Sequence, residues 1–139
     1  MKRFYAFVAT LLALVLSVSA LSARELNLIP EPSYVDLEAE GDYVVTEKTR
    51  ITVVDDMWHP AQLFAEDMME YFGSEKPLRT VKRGDKGIKV RTDIFVPKEG
   101  YEMTVTEDSI LIIGGSEAGV YYGLQTLRQL IITNDGRVP

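Results

Sequence analysis

Residues 110–113 are four consecutive apolar residues, and they follow a segment, residues 101–106, in which apolar and polar side chains alternate. Alternation is typical of a strand with one face against a core, whereas a continuous apolar run is typical of a strand buried on both faces. Glu107 and Asp108 separate the two segments and favour a turn. We therefore expect a β-hairpin whose second strand is central and buried on both faces.

One amphipathic helix is predicted before this hairpin and one after it. The first begins near Pro60 and ends at Gly73, because its apolar residues recur every three or four positions. These residues are Ala61, Phe64, Ala65, Met68 and Phe72. The second begins after Ser116, a suitable N-cap, and its apolar face consists of Val120, Leu124, Leu127 and Ile131. Gly119 and Gly123 would let the backbone of this helix press close to the sheet.

The remaining segments complete the element order β-β-α-β-β-β-α. Residues 26–32 are predicted to form an extended entry segment across the domain surface, because prolines disfavour helix there. Residues 43–46 and 50–54 are predicted as a pair of strands or one kinked strand, residues 74–85 as a loop and residues 87–92 as a half-buried strand. The expected fold class is α+β, with a mainly antiparallel or mixed sheet of about 4–6 strands and two helices packed on one face.

Residues 1–23 have the order of a secretory signal peptide. Lys2 and Arg3 precede an apolar run that ends near Leu16, and small residues follow up to Ala23. Serines interrupt the run before it reaches the roughly 20 apolar residues of a membrane-spanning helix. We therefore predict an exported protein, periplasmic or extracellular, whose mature part, residues 24–139, is one domain that leaves the membrane after cleavage.

The amino-acid composition limits the binding partners and the kinds of site that this chain can have. The chain has no cysteine, which excludes disulfides, thiolate metal sites and a cysteine-linked lipid anchor. Removal of the predicted leader would change the formal net charge from −6 to −8. An acidic surface repels phosphate, which argues against nucleic acid or an anionic membrane as partner. About 116 mature residues suffice for one modest core, far short of the 200 or more of a (β/α)₈ barrel.

Three patterns with possible chemistry each have a simpler structural interpretation. Residues 114–119 share glycines with a dinucleotide loop, but Ser116 replaces the second glycine and Glu117 would repel a pyrophosphate, so a tight turn is favoured. His59, the only histidine of the chain, is interpreted as a polar residue in the turn that opens a helix. Adjacent carboxylates point to different sides and are assigned to caps, solvent faces and turns; they are Asp55-Asp56, Glu66-Asp67 and Glu107-Asp108. We expect no catalytic, cofactor-binding or metal-ligating residue, and no cofactor, in this chain.

Essentially the whole mature chain, residues 26–139, resembles a known family, the N-terminal domain of glycoside hydrolase family 20, the β-N-acetylhexosaminidases. Residues 99–105, residues 110–114 and the opening Ile29-Pro30-Glu31-Pro32 are similar to that domain. The most specific part is the helix Ala118-Gly119-Val120-Tyr121-Tyr122-Gly123-Leu124-Gln125-Thr126-Leu127-Arg128-Gln129-Leu130. A related domain precedes the barrel of family 84 enzymes, which act on O-linked N-acetylglucosamine, but the Ile-Pro-x-Pro opening is more similar to family 20.

The resemblance implies a non-catalytic domain with a zincin-like fold that packs beside a (β/α)₈ barrel. The parent enzyme would remove terminal N-acetylhexosamine from glycans. In family 20 the barrel holds an Asp-Glu pair, in which Asp orients the acetamido group of the substrate as nucleophile and Glu is the general acid–base. The chain ends at Pro139, about where the family continues into its first barrel strand, so we expect the barrel and its catalytic residues to be missing from this chain. The predicted barrel contacts are Tyr121, Tyr122 and Arg128.

Two other functions stay open on the sequence. A self-standing glycan- or protein-binding module would present exposed aromatic rings, and the candidates are Trp58, Tyr34, Tyr43 and Tyr71. A small independent hydrolase would need a pocket around His59 or a strongly perturbed carboxylate. The positions of these side chains in the fold bear on both.

Overall fold

A computed structural model describes residues 26–37 and 42–139, and the predicted signal peptide lies outside these residues. The elements in chain order are β1 (Tyr43–Val44), β2 (Arg50–Val53), α1 (Trp58–Phe72), β3 (Arg79–Val81), β4 (Gly87–Thr92), β5 (Tyr101–Val105), β6 (Ser109–Gly114), α2 (Glu117–Thr133) and β7 (Arg137–Val138). The α+β class and both predicted helices are confirmed. Among the described residues, no helix is long and apolar enough to cross a membrane.

A five-stranded mixed sheet forms the centre of the fold, with the strand order β3-β2-β4-β6-β5. β2 pairs in parallel with β3 and β4, and β4 pairs in parallel with β6. β5 and β6 form the predicted antiparallel hairpin. The mixed sheet is confirmed, but parallel pairing predominates in it, because α1 returns the chain from the end of β2 to the start of β3.

Two short strands differ from the sequence-based expectation. β3 lies inside residues 74–85, which are predicted as a loop, and its three residues are too few to show a period. β1 pairs with β7, with Tyr43 opposite Val138, and not with β2. The two strands predicted over residues 43–54 are therefore present, but they lie in different sheets, because the partner of β1 comes from the far end of the chain.

The two faces of β6 differ in burial. Ile110 and Ile112 are fully buried under the helices, whereas Leu111 and Ile113 on the other face are half-buried. The expected burial of this strand on both faces is therefore wrong for its outer face. Both helices contribute to a single core on the inner face, with Phe64 and Met68 from α1 and Leu124 and Leu127 from α2.

Glycines set the end of one helix and the depth of the other. α1 ends at Gly73, as predicted, in a left-handed conformation with a φ of 61°. In α2, a Cβ on Gly119 would collide with the carbonyl oxygen of Gly100, and a Cβ on Gly123 would lie 2.6 Å from Cγ2 of Ile112. These two glycines therefore allow the close approach of α2 to the sheet that the sequence predicts.

Candidate interdomain surface

The paired helices α1 and α2 expose a strip of surface along the line where they pack against each other. Leu63, Asp67 and Tyr71 recur every four residues on α1 and therefore share one side of that helix. On α2 the matching side contains Tyr121, Arg128 and Ile132. We call these six residues the helix seam. Its four apolar members, Leu63, Tyr71, Tyr121 and Ile132, are each between 36% and 42% exposed.

An ion pair lies at the centre of the helix seam. Arg128 Nε is 3.4 Å from Asp67 Oδ2, and each side chain is 41% exposed. The Nε atom itself is shielded from solvent and has no well-aligned hydrogen bond among the described residues. Near the end of both helices, the Tyr71 hydroxyl donates a hydrogen bond of 3.4 Å to the Ile131 carbonyl. The two charged groups of the seam thus face each other, so the seam carries no net charge.

The surfaces on either side of the seam have a different character. The far side of α1 is polar and exposed, with Gln62, Glu66 and Glu70. Tyr122 is exposed and its ring centroid lies 5.9 Å from that of Tyr121. Consecutive helical residues are rotated by about 100°, so Tyr122 borders the seam on the side away from α1. Of the predicted barrel contacts, the fold places two on the seam and Tyr122 at its border.

The entry segment is attached to α2 by Gln129, a residue that sequence reasoning did not single out. The Gln129 side chain accepts a hydrogen bond from the Ile29 N–H at 3.0 Å and donates one to the Ile29 carbonyl at 2.9 Å. Leu28, one residue earlier, is buried in the core. The segment therefore crosses the domain surface, as predicted, and borders α2.

The glycine-containing turn before α2 is packed against residues 93–100. A Cβ on Gly115 would collide with the Pro97 carbonyl, and the Ser116 hydroxyl donates to the Lys98 carbonyl. Ser116 is the N-cap residue, but its side chain does not cap α2. The room that a bound phosphate would need beside these glycines is thus filled by the neighbouring loop, which supports the interpretation as a tight turn.

Residues 93–100 are held in place by Asp93. Its carboxylate accepts hydrogen bonds from the Phe95 N–H at 3.0 Å and from the Arg91 side chain at 3.2 Å. The hydrogen bond from the Phe95 backbone, followed by the contact with Arg91, holds the pKa of Asp93 below its ordinary value. The loop presents Ile94 and Phe95, each 90% exposed. These two side chains therefore form a second exposed apolar region, near the start of α2.

One member of each adjacent carboxylate pair makes a structural contact, namely Asp55, Asp67 and Asp108. Asp55 Oδ2 accepts hydrogen bonds from the Thr92 N–H and hydroxyl at 3.2 and 3.3 Å, and so connects the ends of β2 and β4. Asp108 in the hairpin turn is 3.0 Å from Lys86 Nζ. His59 is exposed in the first turn of α1. In the part of the chain that the structure describes, no three His, Asp or Glu residues are grouped so as to hold a metal ion.

The four aromatic candidates for a glycan platform are dispersed. Trp58 and Tyr43 are half-buried and pack against the core. Tyr34 is 81% exposed in the entry segment, and Tyr71 lies on the helix seam. The fold therefore gives these rings no common flat surface.

A mixed sheet covered on one face by two helices defines an α+β domain. The model of glycosyl hydrolase family 20, domain 2, matches residues 25–139. The chain belongs to this family, as its N-terminal non-catalytic domain, and the family 20 assignment of the sequence is confirmed. In the family this domain normally accompanies a catalytic barrel.

Solved structures of hexosaminidases contain the same fold. A β-N-acetylhexosaminidase from Bacteroides fragilis is 25% identical with a TM-score of 0.61, and 76% of this chain and 21% of that chain are covered. A mutant β-hexosaminidase from Streptomyces plicatus, in complex with its product, is 28% identical with a TM-score of 0.61, and 76% of this chain and 21% of that chain are covered. An exo-β-N-acetylglucosaminidase from Vibrio harveyi is 21% identical with a TM-score of 0.62, and 74% of this chain and 16% of that chain are covered. The chain thus spans about a fifth or less of these enzymes.

Proposed function

We propose that this chain is the accessory domain of an exported β-N-acetylhexosaminidase that hydrolyses terminal N-acetyl-D-hexosamine residues of glycans. The domain itself contributes no catalytic residue. Its function is to support a catalytic (β/α)₈ barrel, against which the helix seam packs.

The observation that favours this function most is the helix seam. Four partly exposed apolar side chains surround an ion pair, and a protein partner could cover them without leaving a charge unpaired and desolvated. Interfaces between domains of one chain are typically of this mixed kind. Tyr121 and Arg128 are also of types that are enriched in the centres of protein interfaces.

The similar structures support the reaction and the substrate class. Those at 25% and 28% identity are named as hexosaminidases, and the Streptomyces enzyme is described with N-acetylglucosamine as its product. The chain matches about a fifth of each, which agrees with a division of labour between this domain and a catalytic one. The proposed export rests on the pattern of residues 1–23.

Hydrolysis of a nitrophenyl N-acetyl-β-glucosaminide tests the division of labour. The 139-residue protein is compared with a version extended through any downstream coding sequence. We expect activity in the extended protein alone, since this domain normally accompanies a separate catalytic barrel in the family. Activity in the short protein would contradict the proposal.

A tyrosine pair tests the role of the helix seam. In the extended protein, Tyr121→Ser is expected to lower the thermal midpoint by several degrees and to increase the loss of activity on heating, because it removes a ring from the barrel contact. Tyr34→Ser is the matched control, because Tyr34 is 81% exposed and is not a residue of the seam. Equal effects of the two substitutions would remove the support for a barrel contact at Tyr121.

A further inference from the structure

The outer face of the sheet, opposite the helices, has a concentration of basic residues. Side chains alternate between the two faces of a strand, and Ile51, Ile88 and Val90 point to the core. Their neighbours on β2 and β4 therefore point outward, and β3 follows from its register with β2. We define the basic sheet face by Arg50, Arg79 and Lys89 on the strands and by Lys82 and Arg83 in the loop after β3; all five are exposed.

The loop after β3 lies over this outer face. The Thr52 side chain points outward from β2, yet it is buried, and its hydroxyl is 3.5 Å from the Gly84 carbonyl, to which it donates. A Cβ on Gly84 would lie 2.7 Å from the same hydroxyl oxygen. This contact brings Lys82 and Arg83 to the side of the sheet that holds the three strand residues.

Two of the basic residues are neighbours across a pair of strands. Arg50 and Arg79 are in register in the parallel pairing of β2 and β3, so their Cα atoms are roughly 5 Å apart. Like charges in directly opposite positions destabilise a sheet. The pair therefore does not stabilise the fold. Two adjacent guanidinium groups become favourable when an anionic partner binds between them.

The neighbouring cations with structural roles can be separated from this group. Lys86 is paired with Asp108 at 3.0 Å, and Arg91 is paired with Asp93 at 3.2 Å. In the described part of the chain, the residues of the basic sheet face have no such ion pair within 4 Å. Their charges are therefore available to a ligand.

Protection of a sheet edge accounts for only one of these residues. Charged side chains commonly prevent edge strands from pairing with other chains, and Arg79 lies on β3, which is an edge strand. Arg50 and Lys89 lie on β2 and β4, which have neighbours on both sides. Protection of a sheet edge therefore does not explain the positive charges at these two positions.

We propose that the basic sheet face binds a linear polyanionic glycan, whose sulfate or carboxylate groups contact Arg50, Arg79 and Lys89. The existence of a polyanion site rests on the charge pattern. The choice of a glycan among polyanions rests on the proposed function, since the substrate of the enzyme is itself a glycan. Arginine side chains suit sulfate and carboxylate groups because their donors can bind two oxygens at once.

Other polyanions fit the face less well. The residues that flank Lys89 on the neighbouring strands are Thr52 and Leu111, which offer no aromatic ring on which a nucleic acid base could stack. Leu111 and Ile113 are half-buried in the sheet and do not protrude as an anchor for a lipid surface.

Binding is tested on the protein purified after expression from Met1, with dextran sulfate and polygalacturonate as probes and neutral dextran as reference. We expect both charged polymers to bind and dextran not to bind. Each of the variants Arg50→Gln, Arg79→Gln and Lys89→Gln is expected to weaken binding about fivefold and to reduce the slope of log K against log salt by about one. Lys98→Gln, which removes the same charge at the opposite end of the strands, serves as control and should leave binding unchanged.

Several outcomes would overturn the proposal. These are no binding of either charged polymer, equal losses in Lys98→Gln and the three variants, or tighter binding of single-stranded DNA or phosphatidylserine vesicles than of the two polymers. Thermal unfolding of each variant verifies that it is folded, and the three positions are tested separately. Hydrolysis of the nitrophenyl substrate by the extended protein is measured in parallel and should be unaffected, so that a failure here is distinct from a failure of the proposed function.

Discussion

The helix seam and the basic sheet face both expose charged side chains, but they arrange the charges in opposite ways. On the seam, Asp67 and Arg128 neutralise each other between apolar neighbours. On the sheet face, Arg50 and Arg79 stand next to each other with the same sign. A surface that another protein covers must leave no charge unpaired, whereas a surface that stays in water can keep charges available. The contrast is the basis of the proposal that the helix layer packs against a barrel and that the sheet face stays in solvent.

The largest expected effect compares adjacent residues on the two faces of β6. Ile112→Ala should lower the free energy of unfolding by about 3 kcal/mol, because it opens a cavity beneath the helices. Leu111→Ala should cost about 1 kcal/mol, because its side chain is half-buried on the outer face. Chemical denaturation of the 139-residue protein measures both. Similar costs would mean that the outer face is also covered by protein.

Close packing of the helix layer is tested with its glycines. Gly119→Ala should lower the free energy of unfolding by about 2 kcal/mol, because the new Cβ meets the Gly100 carbonyl of the backbone. Gly123→Ala should cost less, since its contacts are with the side chains of Ile112 and Tyr101. Alanine is the better helix former by about 1 kcal/mol, so stabilisation of both variants would show that α2 does not approach the sheet so closely.

The seam ion pair should contribute little to the stability of the domain alone. Asp67→Asn is expected to lower the free energy of unfolding by about 0.5 kcal/mol, because both side chains are partly exposed to water. Glu66→Gln, one residue earlier on the polar side of α1, is the control and should cost less. A loss of several kcal/mol in Asp67→Asn would mean that the pair is already desolvated without a partner.

Removal of one arginine from the cross-strand pair should have the opposite effect on stability from removal of Asp67. Arg50→Gln is expected to raise the free energy of unfolding by about 0.3 kcal/mol at low ionic strength, because it relieves the repulsion from Arg79. The gain should shrink in high salt, which screens surface charges. A clear destabilisation would show that Arg50 has a favourable partner in the fold, and it would weaken the argument for a ligand.

The smallest expected effect is acid-dependent. Because the pKa of Asp93 is lowered in the folded protein, its carboxylate stabilises the fold at pH values above the ordinary carboxylate pKa of about 4. This contribution is lost as the pH falls through the lowered value. The thermal midpoint of the parent should therefore decrease slightly more than that of Asp93→Asn between pH 5 and pH 2. Parallel decreases would contradict the role of Asp93 in holding residues 93–100.

Local patterns predicted the elements that are long enough to show a period. Both helices, the end of α1 at Gly73 and the β5–β6 hairpin follow from spacing and turn residues. β3 is not predicted because three residues show no period, and the predominance of parallel pairing in the mixed sheet is not predicted either. The β1–β7 pair depends on a contact between the two ends of the domain, for which a local sequence pattern contains no signal.

The candidate surfaces were predictable to different degrees. Tyr121 and Arg128 were found because they belong to the helix sequence that resembles family 20. Gln129 belongs to the same sequence, but its partner Ile29 is 100 residues away along the chain. The Arg50–Arg79 neighbourhood follows from the register of β2 with β3, and a sequence analysis without β3 could not include it.

Side-chain oxidation by hydroxyl radicals, followed by mass spectrometry, tests the central claim most directly. It compares the 139-residue protein with the version extended through downstream coding sequence. We predict that Leu63, Tyr71 and Tyr121 become protected several-fold in the extended protein while Leu111 on the outer sheet face reacts equally in both. Unchanged labelling of the seam, or protection of Leu111 instead, would contradict the assignment of the helix layer as the barrel contact.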